Sequence, residues 1–174
     1  MKKILLLFIS ATLLLTSCSS NDDLDINITS EDLLGTWNLV KLEADLTTST
    51  TFNGTTVKGD TELYGKEFDF TFNFTSSPNE YTSEGNFIIV TKTSFGGQTQ
   101  VLETPTTAVP SLSSGDWLLK GNKLIFNEST QAVELTIRSF EANRIVLKQV
   151  INESQSQSGT SVKIKGDLII VLEK

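Results

Sequence analysis

Histidine is absent from this chain, and cysteine and methionine occur once each. Without histidine there is no Ser-His-Asp triad, no Cys-His dyad and no His-containing zinc site. A single cysteine, Cys18, excludes a disulfide within the chain. Positive charge is also scarce: 14 Lys and Arg stand against 21 Asp and Glu, a formal charge of −7. That is the wrong sign for a nucleic-acid partner. Long apolar runs are missing too. Ile4 to Leu15 is about a dozen residues, short of the ~20 that a membrane-spanning helix needs. What remains is 174 residues, 38% hydrophobic and 20% charged, which suits one soluble globular domain.

Residues 1–17 read as a secretory signal peptide, with Lys2 and Lys3 ahead of the apolar run. The run ends at Leu15-Thr16-Ser17-Cys18, which resembles the lipobox of bacterial lipoproteins. The resemblance implies cleavage before Cys18, a diacylglycerol on its thiol and acylation of its new amino group. Two or three acyl chains, at ~0.8 kcal/mol per buried methylene, hold a protein to a membrane where one chain does so only marginally. Residues 18–30 then form the acylated Cys and an acidic, flexible tether with too little apolar surface to pack. Asp22 and Asp23 resemble the acidic export signal of surface lipoproteins of Bacteroidetes, which implies an outward-facing place on the outer membrane. Asp22-Asp23-Leu24-Asp25 lacks the ligand count and glycine turn of a calcium site, so no metal is expected there.

Residues 31–174 read as an all-β domain. Ser30-Glu31-Asp32-Leu33-Leu34 suits one helical turn capped by Ser30 and ended by Gly35. Beyond it, period-two alternation recurs and no 3.6-residue period is sustained. Phe68, Phe70, Phe72 and Phe74 share one parity, and Asp69, Thr71 and Asn73 the other. Val133, Leu135 and Ile137 repeat the pattern, as do Val162, Ile164, Leu168, Ile170 and Leu172. Gly166 falls on that last parity and marks a bend or bulge. Hairpin turns are expected at Asn53-Gly54, Gly96-Gly97, Gly121-Asn122 and Glu141-Ala142-Asn143, with longer loops at 104–114 and 152–160. Short connections between eight to ten strands predict an antiparallel up-and-down meander, long enough to close into a small β-barrel.

Leu34-Gly35-Thr36-Trp37 places a Gly-x-Trp at the start of the first strand, and this phrase resembles the opening of lipocalin-like domains in Bacteroidetes lipoproteins. The Phe-rich strand and the run Gly115-Asp116-Trp117, then Gly121-Asn122, continue the likeness. It implies a lipocalin-like barrel over residues 30–174 with Trp37 as the plug of its closed end. No basic residue stands out as a stacking partner for Trp37; Arg138 and Arg144 are the only arginines.

Catalysis without His or free Cys would need a carboxylate pair, a lysine or a tyrosine. Asp60 with Glu62, Glu67 with Asp69 and Glu80 with Glu84 are spaced closely enough, but such pairs on a strand usually face solvent. No enzyme, cofactor or metal is expected. Phe68, Phe70, Phe72, Phe74 and Trp117 are the candidates to line an apolar pocket, or else to fill the interior. The resemblance implies non-enzymatic binding or carriage of a small hydrophobic ligand by a protein held to the membrane through Cys18. The alternative is a surface interaction module with a filled core, which binds a protein or glycan through its loops near Trp117.

Overall fold

The computed structural model describes residues 26–106, 114–127, 132–157 and 160–174. The signal peptide, Cys18 and residues 18–25 of the expected tether lie outside these, as do residues 107–113 of the proline-containing loop. The described chain carries one short helix, α1 (Ser30–Leu33), and nine strands. The strands are β1 (Gly35–Phe52), β2 (Thr55–Phe74), β3 (Glu80–Phe95), β4 (Gln98–Pro105), β5 (Ser114–Lys120), β6 (Lys123–Asn127), β7 (Ala132–Glu141), β8 (Arg144–Gln157) and β9 (Thr160–Glu173).

The turn chemistry sets the hairpins. Asn53 (φ 48°) and Gly54 (φ 81°) both take the left-handed conformation that a type I′ turn requires, and they join β1 to β2. Gly96-Gly97, Gly121-Asn122 and Ala142-Asn143 make the other tight connections. All pairings are antiparallel, in the order β2-β1-β9-β8-β7-β6-β5-β3-β4, and a further β2–β3 pairing closes the sheet in a ring.

The meander is interrupted once. β3 shares one edge between two strands: its first residues, Glu80–Thr82, pair with β5, and Ile88–Phe95 pair with β4. β4 is therefore a side branch, and the ring itself has eight strands. The junction is sealed by Thr106, whose buried hydroxyl accepts from the Phe87 N–H (2.9 Å) and donates to the Phe87 carbonyl (3.0 Å).

Strand lengths are unequal, and this gives the molecule two levels. β1, β2 and β3 have 18, 20 and 16 residues, whereas β5 and β6 have 7 and 5. The short strands complete the ring only at one end. Beyond it rises a six-stranded half-shell, β4-β3-β2-β1-β9-β8, in which β4 and β8 are the edges among the described residues. Register shifts at Asn38/Glu43, Leu39/Lys41 and Lys66/Asp69 lie where ring meets half-shell, the place where bulges bend a strand and strengthen its twist.

Four expectations are corrected here. The cap of α1 is Thr29, whose N–H is held by the Asp32 carboxylate at 2.8 Å, not Ser30. Ile26 and Ile28 pack against the core, so the stretch without packed apolar surface does not extend to residue 30. Asn152–Gln157 is strand, not loop, because its backbone pairs with β9 from Asn152↔Lys165 to Gln157↔Thr160. Polar composition hides that pairing. Gly166 makes no bulge: it keeps register with both Leu46 and Ile151. A Cβ there would lie 2.1 Å from the Asp45 carbonyl oxygen, so the glycine serves the close approach of β1 and β9.

Candidate functional site

The ring is closed at the end where β1 begins. Trp37 is fully buried, and its indole N–H donates to the Leu33 carbonyl at 2.7 Å. The partner that the sequence did not reveal is Lys174. Its Nζ sits 4.6 Å from the Trp37 ring centroid and also donates to the Asp32 carbonyl at 3.1 Å. Neither arginine does this; Arg144 instead pairs with Glu173.

Above this floor lies a cavity of about 310 Å³. Its walls come from β1, β2, β3, β6, β7, β8 and β9, so every long strand contributes. Phe70, Phe72, Tyr81, Phe87 and Phe126 form an aromatic wall, with ring centroids 5.2 Å apart for Phe70–Phe72 and 4.8 Å for Tyr81–Phe126. Leu39, Leu42, Leu135, Leu147, Leu168 and Ile170 supply aliphatic wall. Gln149 carries the one amide of the lining, and it has no hydrogen-bond partner among the described residues.

The phenylalanine stripe divides by depth. Phe70 and Phe72 line the cavity, while Phe74 lies beneath it, 1% exposed and edge-on to Trp117 at 5.8 Å. Phe68 follows the bulge at Glu67 and packs near Gly65 and against Phe87 (5.6 Å). The interior is thus partly filled and partly hollow. Trp117 is 2% exposed, and its indole N–H donates to the Thr75 carbonyl at 3.0 Å. It is a floor residue, not part of the cavity lining or of an exposed patch at the rim.

The carboxylates stand elsewhere. Glu62 pairs with Lys92 (3.1 Å), and Asp60 accepts a hydrogen bond from Thr47. Glu67, Asp69, Glu80 and Glu84 are exposed. The hydrogen bond that Lys66 donates to the Glu103 carboxylate holds its ammonium above the ordinary lysine range, and the one from Lys92 to Glu62 does the same for Lys92. Among the described residues no group of three or more His, Cys, Asp or Glu is placed to hold a metal ion.

The lining residues outside the Phe stripe escaped the sequence reading. One signal was there: in Ile145-Val146-Leu147-Lys148-Gln149-Val150-Ile151, Gln149 is the polar member of an apolar parity. No protein-family model matches the chain, and no curated protein matches it.

Proposed function

We propose that this chain is a cell-envelope lipoprotein of the outer membrane, anchored through Cys18, whose lipocalin-like β-barrel binds or carries a small hydrophobic ligand without transforming it. The observation that carries this reading is the cavity: about 310 Å³, walled by aromatic and aliphatic side chains. That size is at the lower end of the range for small-molecule pockets, and its apolar walls with few polar groups have their usual character. The half-shell leaves the cavity a route to solvent on the side opposite Trp37. Exposed carboxylates and the lack of a metal-binding cluster among the described residues lend no support to a catalytic reading.

The test is native mass spectrometry of the purified protein after exposure to an envelope lipid extract. A discrete adduct of small-molecule mass is expected, and Leu168→Phe, which narrows the half-buried wall, should reduce its occupancy at least tenfold. A spectrum free of adducts across lipids, sterols and porphyrins overturns the carrier reading. Anchoring has its own check: metabolic labelling with an alkynyl palmitate should mark the protein, and Cys18→Ser should abolish the label.

A further inference from the structure

The half-shell has two faces of opposite chemistry. In antiparallel pairing, residues directly opposite one another share a face, so the register fixes each row across six strands. The row at the cavity mouth reads Leu102, Thr91, Leu63, Ala44, Leu168, Gln149 from β4 to β8. Next comes Gln100, Thr93, Thr61, Leu46, Gly166, Ile151, and then Gln98, Phe95, Gly59, Thr48, Ile164, Glu153. Leu168 and Gln149 line the cavity, so these rows are the continuation of its wall. The 3.2 Å contact between the Thr61 and Thr93 hydroxyls lies on this face.

Across those three rows the only charged residue is Glu153, in the outermost of them. The positions between these rows and the row just before them, on the opposite face, carry Glu43, Asp45, Asp60, Glu62, Lys92 and Glu103 on β1 to β4 alone. Solvation does not explain this division, since the inner face is itself open: Phe95 and Leu102 are 52% and 63% exposed. A merely wet face of a twisted sheet would carry charge as its reverse does. Here apolar groups alternate with threonine hydroxyls and glutamine amides, which hydrogen-bond without a net charge.

We infer that the ligand is an uncharged amphiphile, its apolar tail in the cavity and its hydroxyl-, ester- or amide-bearing head against Gln149 and the threonines of the inner face. This deepens the carrier reading and rests on it. A carboxylate head would find no cation on this face and an ammonium head only Glu153 in its outermost row, and either would lose hydration on entry, whereas a neutral head meets the unpartnered Gln149 amide.

The probes that decide this share one tail: 1-dodecanoylglycerol, dodecanoate and dodecyltrimethylammonium, each below its micellar concentration. Displacement of the neutral dye Nile red from the full chain reads their affinities. The glycerol ester is expected to bind at least tenfold tighter than either ion. Gln149→Leu should lower that preference severalfold, and Gln149→Lys should raise dodecanoate affinity at least tenfold. If all three probes bind equally, or if both variants leave the ranking unchanged, the neutral-head inference is overturned while the carrier reading stands. If none displaces the dye and no adduct forms, the carrier reading itself falls.

Discussion

Trp37 is held from two sides, by a hydrogen bond to Leu33 and by the Lys174 ammonium over its ring. Lys174→Ala removes only the second and should cost about 0.5–1 kcal/mol in urea denaturation, the range of an exposed cation–π contact. Trp37→Ala removes the plug and should cost about 3–5 kcal/mol. Thr106→Val leaves the Phe87 N–H and carbonyl without their partner in a buried setting, a loss of about 1–3 kcal/mol. Hydrogen bonds from the Thr29 N–H and hydroxyl hold the Asp32 carboxyl below its ordinary value. A depressed carboxyl contributes stability above the unfolded carboxylate range and loses it as pH falls through the folded value. Thermal unfolding from pH 6 to pH 2 should therefore show a smaller acid loss in Asp32→Asn than in the parent chain.

At the scale of elements, Lys66 on β2 reaches Glu103 on β4 at 2.8 Å, across β3 between them. Val90 on that middle strand is 1% exposed although its face of the half-shell is the charged one. Lys66 and Lys92 both have raised values, so their contributions are full below the ordinary lysine range and vanish as pH rises through it. Between pH 9 and about pH 11.5, Glu103→Gln should flatten the alkaline fall in melting temperature. Gly166→Ala drives a methyl onto the Asp45 carbonyl and should cost about 1–3 kcal/mol by overpacking. The hairpins were legible because Asn-Gly and Gly-Gly act locally. The Phe alternation showed a buried face, but depth along that face depends on register with distant strands. For that reason Phe70 and Phe72 could not be separated from Phe74 in advance. Likewise β8 beyond Asn152 is strand through backbone pairing alone, which side-chain patterning does not report.

At the scale of the molecule, chain entry and cavity mouth lie at opposite ends. Ile26, Ile28 and α1 pack at the Trp37 floor, and the half-shell opens beyond the far side of the cavity. An anchor at Cys18 would therefore turn the mouth away from the lipid. A nitroxide at position 49, near the tip of the half-shell, should show weaker relaxation by a membrane-embedded paramagnetic agent than one at position 142 beside the floor. Equal relaxation at both would mean that the domain lies on its side.

The closure of the ring also sets an order in time. One edge of β1 is met by β2 two residues later, but the other waits for β9, where the Asn38 amide reaches the Glu173 carbonyl across 135 positions of chain. Pairing at such separation is entropically expensive and slow. During synthesis β1 can have only its β2 edge occupied until the last strand emerges, so an incomplete chain exposes a template for foreign strands. A chain held extended until its final residues are free avoids that hazard, and in stopped-flow refolding the Trp37 environment should mature in the slowest phase.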